Sequence, residues 1–184
     1  MKDKFNYLYH ARKIFNFNRS ITGEGVRETL RYIKKNINNN LKIKHFKSGE
    51  KYFDWRIPNE WLVKKATLKY RGKEILNFKK NNLCLVGYSV KKKKILKLSL
   101  LKKNIYFNKQ RPNATPYVTS YYHKNWGFCM PYNKFKSLKE GNYEVDIDTK
   151  HFRGKMDYGE IYIKGKSKKE ILITSYTCHP SLAN

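Results

Sequence analysis

The chain has 184 residues, with 41 Lys and Arg against 14 Asp and Glu, so its formal net charge is +27. Apolar residues make up 40% and aromatic residues 15% of the sequence, which argues against disorder despite the charge. No stretch approaches the roughly 18 apolar residues of a membrane helix, and no signal peptide is expected at the N-terminus. The composition predicts one ordinary domain with a buried core, or one small domain with part of another.

The charge bears on possible binding partners, and the cysteines bear on the cellular compartment. Most of the positive charge is lysine in a sequence rich in Asn, Ile, Tyr and Phe, which is typical of an AT-rich genome and needs no selected partner. The alternative is a basic surface that binds polyanions through salt-sensitive contacts. Three scattered cysteines form neither a disulfide framework nor a zinc knuckle, which predicts reduced thiols in a cytoplasmic protein.

The first third of the chain predicts two helices and a strand. Apolar residues at helical spacing predict a first helix over 3–17. The sequence RSITGEG at 19–25 contains two glycines and two hydroxyl side chains, which favour a turn followed by a helix cap. A second helix is predicted over 24–37, and residues 41–46 alternate like an exposed strand.

From about residue 51 the pattern changes to short strands without a helical layer. A hairpin is predicted with strands at 66–70 and 74–78, and a more buried strand at 83–88. The four lysines at 91–94 indicate a solvated loop or an edge strand rather than a binding patch. Residues 51–130 are therefore predicted to form a small β-rich domain.

The last third returns to alternating helix and strand patterns. After a short helix over 132–138, strands are predicted at 143–148 and 156–163. Residues 171–177 form a near-continuous apolar run, which is typical of a central strand covered on both faces. Such a strand needs neighbours and crossover helices after it, so we expect the chain to be the N-terminal piece of a longer protein.

His179 directly follows the last predicted strand. Ligand sites of open α/β sheets lie at the carboxyl ends of strands, and a neutral imidazole there is a natural metal ligand, aimed by the stiff Pro180. A structural or solvent-exposed histidine is the alternative. A single histidine cannot form a zinc site, which needs three or four ligands.

Arg19, Ser20 and Thr22 form a second candidate group. At the start of a helix they could bind a substrate or a phosphate-like anion, which makes them candidate substrate-binding residues. The alternative is a helix cap in which the arginine bonds to nearby carbonyl groups.

Four motifs follow one another along the chain: RSITG from Arg19, FDW from Phe53, PYVTSYY with WGFC from Pro116, and CHPSLAN from Cys178. Together they resemble the bacterial aminopeptidase-like proteins, which are zinc-exopeptidase relatives often associated with polysaccharide-biosynthesis loci. The resemblance implies an α/β fold: an incomplete αβα zinc-peptidase-like domain with a small β-rich inserted domain. The expected division is 1–50, 51–130 and 131–184, the last segment ending inside the active-site loop.

The resemblance also implies roles for residues. His179 takes the position of a metal ligand, while a metal-bridging Asp is expected just beyond Asn184 and the remaining ligands and the Glu base later still. No catalytic residue is therefore assigned to this chain. Zinc is expected in the complete protein and none on this chain alone.

The leading hypothesis is thus an N-terminal fragment of a zinc-dependent aminopeptidase-like hydrolase. In the complete protein, a metal-activated water would cleave an amide bond of a peptide-like substrate. The expected partner is a second polypeptide that supplies the missing part, with only non-specific nucleic-acid binding and no membrane. The alternative is a basic binding module for nucleic acid or another anionic polymer.

Overall fold

The computed structural model describes residues 6–181, which divide into two compact units. We call the residues up to Glu60 and from Arg153 onward the terminal unit, and Trp61–Phe152 the middle unit. The middle unit therefore begins and ends later in the sequence than the predicted β-rich segment 51–130. No helix within 6–181 is long and apolar enough to cross a membrane.

The expected mixture of helices and strands is confirmed. The helices are α1 (Tyr7–Ile14), α2 (Glu24–Asn36), α3 (Leu98–Leu101) and α4 (Tyr132–Lys136). The strands are β1 (Lys42–Lys47), β2 (Lys51–Tyr52), β3 (Trp55–Arg56), β4 (Glu60–Tyr70), β5 (Lys73–Asn77), β6 (Lys92–Lys97), β7 (Ile105–Tyr106), β8 (Phe128–Cys129), β9 (Asn142–Phe152) and β10 (Lys155–Glu160). Short 3-10 helices lie at Asn82–Cys84 and Lys102–Asn104.

In the terminal unit, α2 packs over a two-stranded antiparallel pair. Strands β1 and β10 pair from Lys42 opposite Glu160 to Lys47 opposite Lys155. Val26 and Leu30 on α2 form a buried cluster with Leu41, which precedes β1. The apolar spacing that predicted the second helix therefore marks its buried face.

The middle unit contains a four-stranded sheet in the order β5-β4-β9-β6. The predicted hairpin is confirmed: β4 and β5 pair antiparallel across Arg71 and Gly72, both at positive φ, as hairpin turns with a right-handed twist require. Strand β6 is an edge strand and contains most of the 91–94 lysine run. Lysines on an edge discourage pairing with other chains, which agrees with their predicted placement on an edge.

Two predicted strands are wrong. Residues 171–177 form no strand, and Ile171, Leu172 and Ile173 are 88–90% exposed. A strand needs partners for its backbone hydrogen bonds, and within 6–181 no other strand pairs with this segment. In the other segment, 84–88 are buried, but after the 3-10 helix they make only isolated bridges instead of a strand.

Candidate functional site

Arg19 is a buried arginine that binds three backbone carbonyls. Only 5% of the Arg19 residue is exposed to solvent. Its Nε donates to the carbonyl oxygen of His179 at 2.8 Å, and its two terminal nitrogens donate to the carbonyls of Ile14 and Ser181. Burial lowers the pKa of Arg19. We call Arg19 with these three carbonyls the Arg19 clamp.

The sequence around Arg19 explains how it reaches this position. A Cβ on Gly25, near the start of α2, would lie 2.8 Å from the Arg19 backbone nitrogen and still closer to the Asn18 carbonyl. Only glycine therefore lets the chain before α2 approach the helix so closely. Ser20 Oγ donates to the Thr22 carbonyl at 2.6 Å, and Thr22 Oγ1 donates to the Asn59 carbonyl at 3.3 Å. These bonds keep the turn buried without leaving its hydroxyl groups unsatisfied.

The clamp holds the segment that contains His179. Pro180 and Ser181 are buried, whereas His179 is half-buried with its ring centroid 6.2 Å from that of Tyr176. Ser181 has a φ of 53°, in the left-handed region that non-glycine residues rarely adopt. Burial raises the pKa of the neighbouring Cys178 thiol.

The structure therefore brings two sequence-predicted groups together. Arg19 and His179 are adjacent through the backbone carbonyl of His179, although 160 residues separate them in sequence. Arg19 bonds to three backbone carbonyls, two of which are remote in sequence, and its role as a candidate substrate-binding residue stays a prediction. Ser20 and Thr22 are buried and donate to backbone carbonyls.

A second cluster of charged residues was not predicted. Arg27 on α2 binds Glu60 at the start of β4 and Asp157 on β10, and both carboxylate side chains are nearly inaccessible, at 6% and 2% exposed. Burial alone would raise the pKa of Glu60, but hydrogen bonds from Arg27 and from the Lys155 backbone N–H hold it below its usual value. The two acids follow no periodic pattern in the sequence from which the cluster could have been predicted. The glycine at 154 is related to the cluster, because a Cβ there would lie 2.6 Å from Glu60 Cδ.

The side-chain donors of residues 6–181 do not assemble into a metal site. Among residues 6–181, no group of three or more His, Cys, Asp or Glu side chains could hold a metal ion. The imidazole of His179 is a suitable donor for zinc, but the residues described here do not fit a complete zinc centre, which requires at least three protein ligands. No reaction step through zinc follows from these residues.

The fold and the clamp define a mixed α/β protein with a candidate site at the 179–181 segment. Residues 60–150 match the family profile described as "Domain of unknown function (DUF2172)". Over 173 residues, 94% of this chain, the sequence is 44% identical to a Clostridium acetobutylicum protein provisionally named as a polysaccharide biosynthesis protein with an aminopeptidase-like domain. A crystal structure of a provisionally named peptidase from the same organism aligns with a TM-score of 0.88 at 44% identity.

These similarities confirm the predicted resemblance to the aminopeptidase-like proteins. The chain spans 39% of the length of the Clostridium relative and 41% of the chain in the crystal structure, which covers 94% of this one. This chain is therefore similar to one part of a peptidase-like protein.

Proposed function

We propose that this chain is the N-terminal part of a zinc-dependent aminopeptidase-like hydrolase that cleaves an amide bond. The observation that carries the proposal is 44% identity over 94% of the chain to a relative named for an aminopeptidase-like domain. In this proposal the terminal unit is part of an αβα zinc-peptidase-like domain and the middle unit is its β-rich insertion. The antiparallel β1–β10 pair and the covering helix α2 are consistent with one edge of such a domain.

His179 is the proposed metal ligand. Its segment is held at a defined place by the Arg19 clamp, which supports a role that requires a fixed imidazole. When bound, zinc would supply a polarised water as nucleophile. The other ligands and the general base would come from polypeptide outside this chain, since no cluster of three donors lies within 6–181.

In the same proposal the chain alone is inactive and needs a further polypeptide to complete its domain. The exposed apolar run Ile171–Ile173 supports this, because three large apolar side chains left 88–90% exposed are unusual on a folded surface. The substrate would be a peptide-like amide.

The cysteines support a reducing cytoplasmic location, because all three are free thiols. Cys84 and Cys129 are buried, and burial raises the pKa of each thiol to about 12.

The test measures zinc and hydrolysis together. The chain, His179→Ala and the control His123→Ala are dialysed and analysed for zinc, alone and joined to the polypeptide that corresponds to the rest of the Clostridium relative. We expect substoichiometric zinc and no cleavage of an aminoacyl amide by the chain alone. The joined protein should bind zinc and hydrolyse the amide, and His179→Ala should abolish both while His123→Ala retains them. Zinc and activity that survive His179→Ala contradict the proposed ligand.

The alternative, a polyanion-binding module, is favoured by the net charge of +27. Several lysines of the middle unit are engaged by acids, including Lys91 with Asp148 at 3.0 Å and Lys80 with Glu74 at 2.8 Å, which reduces the positive charge they offer to a polyanion. We therefore propose only non-specific adhesion to nucleic acid. A salt titration of RNA binding separates the two: affinity that persists at physiological salt favours the binding module.

A further inference from the structure

The backbone around Pro180 is fixed on both sides by one side chain. Arg19 Nε binds the His179 carbonyl at 2.8 Å, and another of its nitrogens binds the Ser181 carbonyl. The third contact, to the carbonyl of Ile14, ties the guanidinium to the end of α1. The guanidinium is planar and its N–H groups have fixed directions, so three simultaneous bonds leave it one orientation.

We propose that Arg19 is a positioning residue that sets the direction of the His179 imidazole. The proposal rests on the proposed function in taking His179 as the working residue of this segment. Holding the His179 carbonyl restricts the ψ angle of His179, and the ring of Pro180 fixes the next φ angle. The Cα–Cβ bond of His179 then has one direction, from which its imidazole can adopt only a few rotamers.

The buried arginine and the 179–181 segment stabilise each other. Among residues 6–181, no carboxylate forms an ion pair with Arg19, so the three carbonyls compensate the burial of its charge. If the 179–181 segment moved away, two N–H groups of a buried cation would lose their acceptors, and each loss is expensive. Release of the segment is therefore opposed by the arginine as well as by the packing of Pro180 and Ser181.

The backbone conformation of Ser181 also indicates that Arg19 holds the 179–181 segment in place. A serine at a φ of 53° has a backbone that L-residues with a Cβ adopt only at a cost of about 1 kcal/mol. This conformation coincides with the hydrogen bond that Arg19 donates to the Ser181 carbonyl. The bond to the guanidinium offsets the cost, since hydrogen bonds to charged donors are roughly twice as strong as neutral ones.

The test replaces Arg19 in the chain as it stands. Arg19→Lys keeps the positive charge but lacks the planar fork, and Arg19→Gln removes the charge. The matched control is Arg56→Lys, because Arg56 also donates to a carbonyl, that of Gly49 at 2.7 Å, but on an exposed strand. Backbone 15N relaxation gives the order parameters of His179 and Ser181, and NMR couplings report the χ1 rotamer of His179.

We expect the order parameters of His179 and Ser181 to fall below about 0.6 in both Arg19 variants, with those of α2 unchanged. The His179 couplings should change from one rotamer to an average, whereas Arg56→Lys should match the unmodified chain. Unchanged order parameters and an unchanged rotamer in Arg19→Lys overturn the proposal, as does the same loosening in Arg56→Lys. Because neither readout uses zinc, a failed zinc test of His179 would overturn the proposed function and leave this result standing.

Discussion

Arg27 and Glu60 form a two-point ion pair, in which Arg27 Nη1 and Nη2 lie 3.0 and 2.8 Å from the two carboxylate oxygens of Glu60. Arg27 Nη1 also lies 3.0 Å from Asp157 Oδ2, and the Lys155 backbone N–H donates to Glu60 at 2.8 Å. The pair thereby links helix α2 to strand β10 and to the first residue of β4. A fork-to-carboxylate contact of this kind adds geometric specificity to charge attraction.

Replacing Glu60 by Gln should destabilise the terminal unit by roughly 2 to 4 kcal/mol, because the partly buried Arg27 guanidinium loses one of its charged partners. Asp157 remains within reach of Arg27, which keeps the loss below that of a fully isolated charge. Urea denaturation measures the free energy of unfolding. The matched control is Glu160→Gln, which removes the exposed pair with Lys44 and should cost much less than Glu60→Gln. Equal losses in the two variants would contradict the structural role of the buried pair.

The same carboxylate predicts how stability depends on pH. Although burial acts to raise it, the pKa of folded Glu60 is held below its usual value by hydrogen bonds from Arg27 and the Lys155 backbone N–H. The unfolded state therefore binds more protons in acid, and the stabilisation from Glu60, complete above about pH 5, is lost as the pH falls through its folded pKa. Urea denaturation from pH 3 to 7 should show a shallower loss for Glu60→Gln than for the unmodified chain. If the free energy of unfolding of Glu60→Gln fell with decreasing pH as steeply as that of Glu160→Gln, the pH dependence would not come from Glu60.

Gly25→Ala should destabilise the chain although alanine favours helices. Alanine gains about 1 kcal/mol in a helix interior, but its Cβ would overlap the Asn18 carbonyl and the Arg19 backbone nitrogen. Forcing such an overlap typically costs about 1 to 3 kcal/mol. Gly165→Ala is the control, since a Cβ there meets nothing within 4 Å. Thermal unfolding should show a lower midpoint only for Gly25→Ala, and an unchanged or raised midpoint would contradict the close approach.

Local patterns predicted the elements that depend on neighbouring residues. The apolar stripe of α2 and the Arg71-Gly72 turn are both local signals, and both elements are confirmed. The strand predicted at 171–177 is wrong because it depends on distant residues. An apolar run indicates that a segment is favourably buried, but the segment becomes a strand only if other strands pair with it. The sequence contained no signal that Glu60 and Asp157 converge on Arg27, because residues 130 positions apart meet only through the fold.

The exposed apolar segment should bind a hydrophobic dye. Ile171, Leu172 and Ile173 are 88–90% exposed, and each large apolar side chain would gain about 1.5 to 3 kcal/mol on burial. The double substitution Ile171→Lys with Ile173→Lys should reduce dye fluorescence and self-association, measured by dye titration and light scattering. Ile95→Lys, which removes a single exposed side chain from edge strand β6, should change neither. Equal dye binding by the double variant and the unmodified chain would contradict this prediction.

The contact from Arg19 to His179 closes a loop of 160 residues, and this has a consequence for the order of folding. Closing a long loop costs entropy before its contacts repay it, so pairings of high sequence separation tend to form after local hairpins and helices. The clamp should therefore form on the native side of the folding barrier. Substitutions of Arg19 would then speed unfolding and leave the folding rate nearly unchanged.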